Sequence, residues 1–76
     1  MSILKELREE KVLTQEELAA RIGVTKQMIW YWEKGLSMPR PVHIRKLAEI
    51  YGKEPGEMRK IIEANLVNKE LAAVSC

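Results

Sequence analysis

The sequence has one cysteine, Cys76, one histidine, His43, and no aspartate. A lone cysteine excludes an internal disulfide. One histidine and one cysteine cannot assemble a convincing acid–base pair or nucleophile triad, so no enzyme is expected. A structural zinc site takes about four Cys, His or carboxylate ligands, and the Cys/His supply stops at two, so neither metal nor cofactor is expected. There is no Gly-rich loop of the Walker type. No apolar run approaches the roughly 18 residues of a membrane span. The opening residues Met1-Ser2-Ile3-Leu4-Lys5-Glu6 carry charge too early for a signal peptide, and a cytoplasmic protein is expected. Glycine and serine are too sparse for a linker, and no repeat or low-complexity tract is present.

What remains is a 76-residue chain, 46% hydrophobic and 32% charged, ordinary values for one globular domain. A domain this small buries only about 60% of its unfolded surface, so dimerisation would help it. The net charge is a mild +2, but it is unevenly spread. Residues 1–25 and 47–76 each hold four basic and five acidic side chains. Residues 26–46 hold five basic ones (Lys26, Lys34, Arg40, Arg45, Lys46) against one acidic, Glu33. Three of the four aromatics, Trp30, Tyr31 and Trp32, fall in the same stretch. A local basic patch is the electrostatic footprint of a nucleic-acid contact, although a solvated helix face has the same composition.

Apolar spacing predicts five helices and no strand. The first runs from about Ile3 to Lys11, on Ile3, Leu4 and Leu7. Thr14-Gln15-Glu16-Glu17 is a capping box, and Leu13 and Leu18 are spaced for a hydrophobic staple across it. The second helix then buries Leu18, Ala19 and Ile22 and stops at Gly23. Thr25 caps the third, Val24 and Ile29 repeat the staple, and Gly35 ends it. Two helices joined through Gly23-Val24-Thr25 have the helix-turn-helix form, here spanning Gln15 to Lys34. Pro41 opens a fourth helix with the stripe Ile44, Leu47, Ala48, Tyr51, closed by Gly52. Pro55 opens a fifth, with Met58, Ile61 and Ile62 inward; no Gly or Pro follows Gly56, so this helix is expected to continue toward Ala73. The expected organisation is an all-α, five-helix DNA-binding domain over residues 1–65 and a helical, dimerising extension over residues 66–76.

Stepping about 100° per residue from Lys26 sorts the third helix into two faces. Lys26, Gln27, Trp30, Tyr31 and Lys34 share one side; Ile29 and Trp32 lie opposite. Trp32 is therefore read as core. The outer side suits a major groove. Gln27 can bond bidentately to adenine, Lys26 can reach guanine acceptors, and Tyr31 offers a ring for a thymine methyl and a hydroxyl. Residues at the start of the second helix of such a motif reach the bases. Thr25, Lys34 and Arg40 are candidates for the DNA backbone. Trp30 can donate its indole N–H to a phosphate or contribute to a protein interface.

Leu13-Thr14-Gln15-Glu16-Glu17-Leu18-Ala19, then Gly23-Val24, Ile29, Trp32-Glu33-Lys34-Gly35, Pro39 and Leu47-Ala48-Glu49 resemble the Cro-type phage-repressor helix-turn-helix family. The likeness covers roughly residues 3–62. It implies a dimeric DNA-binding domain on a palindromic operator, Gln15 against the DNA backbone, and an ion pair between Arg8 and Glu33. The chain departs from the family's usual pattern at Met28, Trp30, Tyr31 and Pro41.

The remaining residues carry weaker signals. His43 is expected to be solvent-exposed, Arg45 and Lys46 to belong to a solvated face, and Cys76 to have no role. Past Ile62, the apolar residues Leu66, Val67, Leu71 and Val74 keep a near-helical spacing, so Ile62, Leu66, Val67 and Leu71 are read as a homodimer interface. The expected function is a sequence-specific double-stranded DNA-binding transcriptional regulator, a repressor, that uses the helix Lys26–Lys34 in the major groove. The alternative is a protein-interaction module, antitoxin-like or co-regulatory, that docks a partner protein through Trp30 and Tyr31. No small-molecule pocket and no membrane contact are expected.

Overall fold

The computed structural model describes residues 2–67. Its five helices are α1 (Ile3–Glu10), α2 (Gln15–Ile22), α3 (Lys26–Glu33), α4 (Pro41–Tyr51) and α5 (Pro55–Asn65), with no strand among the described residues. The local signals act where expected. Ser2 caps α1 by accepting from the Lys5 amide at 3.2 Å. Pro41 and Pro55 open α4 and α5, where a missing N–H costs nothing. Gly23 and Gly52 close α2 and α4 in the left-handed conformation.

The turn after α1 is different. Val12 is itself left-handed, with φ +55, although it is β-branched. Leu13 follows it into the core while Val12 stands in solvent. The left-handed region costs an L-residue about 1–2 kcal/mol, and burial of Leu13 offsets it.

The core draws on every helix: Leu4 from α1; Leu18, Ala19 and Ile22 from α2; Ile29 and Trp32 from α3; the whole Ile44, Leu47, Ala48, Tyr51 stripe from α4; Met58 and Ile62 from α5. Burial pushes the Tyr51 phenol up to about 12. Helix α4 packs on α5 and α2 on α3, with α1 lying across α3 and α5.

Four expectations are corrected by the structure. Helix α5 ends at Asn65 instead of continuing toward Ala73. Leu66 is extended (φ −68, ψ 136) and 6% exposed, because it turns into the domain. Ile62 and Leu66 are therefore filled by the chain's own core and are not an open dimer surface, whereas Val67 is 72% exposed. Leu71, Val74 and Cys76 lie outside the described residues. Lys46 is more than a solvated side chain, since its ammonium donates to the Ile22 carbonyl at 3.0 Å and ties α4 to the end of α2. His43 is half-buried, its ring 5.4 Å from that of Trp32 and its Nδ1 enclosed without a partner among the described residues.

Candidate DNA-binding surface

The surface is set by how α2 and α3 begin and end. The Thr14 hydroxyl accepts from the Glu17 amide at 3.0 Å, and the Glu17 carboxylate accepts from the Thr14 amide at 2.9 Å. Hydrogen bonds from Thr14 to this carboxylate, from its backbone amide foremost and then from its side chain, hold the Glu17 carboxyl below the usual carboxylate range. At the other end of α2, Gly23 adopts φ +88, and the amides of Gly23 and Val24 both donate to the Ala19 carbonyl. Thr25 then accepts from the Met28 amide at 3.2 Å and starts α3. Only Gly23, Val24 and Thr25 separate the two helices.

Ile29 and Trp32 fix the inward side of α3, both almost fully buried. That sets the other side outward. Lys26, Gln27, Trp30 and Lys34 are exposed and Tyr31 is half-exposed. These side chains are bonded mainly to one another. The Gln27 amide donates to the Tyr31 hydroxyl at 3.2 Å. The Tyr31 ring meets Trp30 edge-on at 5.3 Å, and the Lys34 ammonium sits 5.7 Å from the centre of the Trp30 ring. Lys26 reaches Glu16 at 3.5 Å in an exposed pair that contributes little. Glu33, the one acid of the basic segment, points inward and is 7% exposed, so α3 adds no carboxylate to its own outer face.

Glu33 also fixes the helix in place. Arg8 on α1 donates to it through Nε at 2.6 Å and Nη2 at 3.2 Å, while Nη1 donates to the Leu13 carbonyl at 2.9 Å. The ion pair implied by the family resemblance is thus a buried, bidentate bridge. Gln15, expected against the DNA backbone, spends one amide hydrogen on Glu33 at 2.9 Å. A side-chain amide carries two hydrogens, so one remains for an outside acceptor. The Thr25 hydroxyl similarly accepts within its cap and keeps its own proton free to donate. Arg40 is exposed at the N-cap of α4.

An open groove of about 770 Å³ runs along this face, with Lys5, Gln15, Glu16, Lys26, Trp30 and Lys34 in its walls. Sequence reasoning did not find Lys5, because nothing local ties α1 to α3. The half-buried His43 lies off this face on Trp32. Burial, and then the charges of Lys46 and Arg40, hold its pKa below the ordinary histidine value, so it is neutral near pH 7. Among the described residues no group of three or more His, Cys or acidic side chains is placed to hold a metal.

The sequence matches the family described as helix-turn-helix over residues 4–58. It is 38% identical over 68 residues to the cryptic phage CTXphi transcriptional repressor RstR of Vibrio cholerae, an alignment covering 90% of this chain and 61% of that repressor. It is 43% identical over 53 residues to an uncharacterized HTH-type transcriptional regulator of Methanothermobacter thermautotrophicus, covering 70% of this chain and 77% of that protein. The chain thus spans less than two-thirds of the length of RstR. No solved structure matches it. With a capped helix pair around a three-residue elbow and a family match over most of its length, the chain belongs to the Cro-type helix-turn-helix family of transcriptional regulators.

Proposed function

We propose that the chain is a sequence-specific double-stranded DNA-binding transcriptional repressor that lays α3 in the major groove. The observation that carries this reading is the outward set Lys26, Gln27 and Tyr31 on a helix whose opposite side is locked into the core. Their hydrogen bonds are to one another or to an exposed glutamate, so base edges can replace them at small cost. Gln15, Thr25, Trp30, Lys34 and Arg40 take the flanking phosphates, with the spare protons of Gln15 and Thr25 donating. Occupying an operator in this way blocks transcription without any catalytic group.

The acting species is a homodimer in the cytoplasm, with two α3 helices about 34 Å apart, one turn of DNA. Leu36 and Val67 are exposed apolar residues beside the Gly35–Val67 hydrogen bond and supply surface for that pairing. Analytical ultracentrifugation is expected to show a dimer on DNA; a monomer both free at micromolar concentration and on DNA would remove the two-fold arrangement.

Selection of bound duplexes from random DNA tests the whole reading. A palindromic site is expected, and with about eight phosphate contacts per dimer the log–log salt slope is about −7. Weak salt dependence and no selected site would favour the second reading, in which Trp30, 41% exposed and braced on Tyr31, docks a protein partner.

A further inference from the structure

We infer that Asn65, at the end of α5, is a positioning residue for DNA readout: it fixes the orientation of α3 and thereby which base edges Lys26, Gln27 and Tyr31 can reach. The inference rests on the DNA-binding reading above and names a residue outside the helix-turn-helix.

Every helix leaves its last four carbonyls without an intrahelical partner. In α3 these are Trp30, Tyr31, Trp32 and Glu33. The Trp30 carbonyl accepts from the Lys34 amide at 3.0 Å, and that of Tyr31 accepts from the Leu36 amide at 3.0 Å. The carbonyl of Trp32 accepts from the Gly35 amide at 3.1 Å and from the Asn65 side chain at 3.2 Å. For the Glu33 carbonyl, the partner among the described residues is Asn65, also at 3.2 Å. Its side-chain amide thus spans the last two residues of the reading helix from 32 positions away in sequence.

A second attachment lies alongside. The Val67 amide donates to the Gly35 carbonyl at 2.9 Å, and a Cβ at Gly35 would collide with the Asn65 carbonyl. Glu33 is consequently held twice, by Arg8 and Gln15 through its carboxylate and by Asn65 through its main chain. Two attachments at one end, one to the side chain and one to the main chain of the same residue, leave α3 little freedom to roll or tilt. Small displacements matter because paired hydrogen bonds to a base edge tolerate little misalignment.

The test compares the full chain with Asn65→Ala and with Ile44→Val, a core change on α4 that touches none of the bonds at the end of α3 and mildly lowers stability. Affinity is measured on the selected operator and on random duplex, at one salt concentration and a temperature where circular dichroism shows each protein folded. The expected result is an operator-over-random ratio about tenfold lower in Asn65→Ala, comparable to losing one weak base contact. Ile44→Val keeps the wild-type ratio, and random-duplex affinity stays the same in all three proteins. Should Asn65→Ala not fold, Asn65→Leu keeps the bulk of the side chain but cannot donate to the Trp32 and Glu33 carbonyls, and the same drop is expected. Asn65→Ala retaining the Ile44→Val ratio would overturn the inference while leaving the DNA reading intact. A wild-type chain that prefers no sequence would sink the DNA reading, and the inference with it.

Discussion

The two ends of α3 are built in opposite ways. At its start, Thr25 caps its own helix, Lys26 meets Glu16 on the surface and Gln27 bonds to Tyr31 one turn on. At its finish, Glu33 is bridged to α1, α2 and α5, and Gly35 packs closely against the backbone of Asn65 and Val67. The first end makes exposed bonds that a ligand can exchange. The second is over-determined by the rest of the domain. A reading element needs both, since side chains free to meet bases are useful only on a backbone that does not move when they do.

The largest test is to cut the held end. Arg8→Ala leaves the Glu33 carboxylate buried beside Gln15 with its cation gone, at an expected cost of about 3–5 kcal/mol in urea unfolding. Glu33→Ala should cost a similar amount by stranding the guanidinium. Unfolding midpoints equal to wild type would show that the bridge does not hold α3.

The glycines flanking α3 sharpen the comparison. Both Gly23 and Gly35 have positive φ, so alanine strains either by about 1–2 kcal/mol. A Cβ at Gly23 would meet nothing, whereas one at Gly35 strikes the Asn65 carbonyl. Gly35→Ala should therefore lower stability clearly more than Gly23→Ala, by a total above about 2 kcal/mol. Equal losses would mean that the held end yields as easily as the elbow.

At the reading end the order of effects reverses. Gln27→Ala should change stability by less than about 0.5 kcal/mol yet relax sequence preference by about 1–3 kcal/mol. Lys34→Ala should weaken all duplexes alike and lower the salt slope by about one. A Gln27→Ala protein that selects the wild-type site unchanged would remove Gln27 from the base-reading set.

This asymmetry also explains what could be read from the sequence. The reading end is made by neighbours in the chain, and its capping box, glycine elbow, Thr25 cap and the two faces of α3 were all legible from spacing. The α4 stripe was legible for the same reason, each position being one turn from the next. The held end is made across long separations. Arg8 and Glu33 were named only through family resemblance. Asn65 and Lys46 carry no local mark of the carbonyls they reach on other helices. Leu66 misled because an apolar residue at helical spacing says nothing about whether the chain bends inward to bury it. Val12 was illegible because no rule places a β-branched residue at positive φ.

His43 gives the smallest effect and probes the inner side of α3, where its ring lies against Trp32. Burial first, and then Lys46 and Arg40, lower its pKa from the ordinary 6.5 in the folded chain. As the pH falls through about 6.5, the unfolded chain takes up this proton before the folded chain does, so protonation favours unfolding. The loss begins near 6.5, grows as the pH falls toward the lower folded value, and levels off below it. Between about pH 7.5 and 5.5 the wild-type melting temperature should fall by a few degrees at most, and His43→Gln should fall by less. The carboxylates stay largely ionised across that window, so the difference between the two proteins isolates the imidazole. A melting temperature that rises on acidification in wild type but not in His43→Gln would mean that the imidazolium finds an acceptor beside Trp32, and that this side of α3 is more open than its packing indicates.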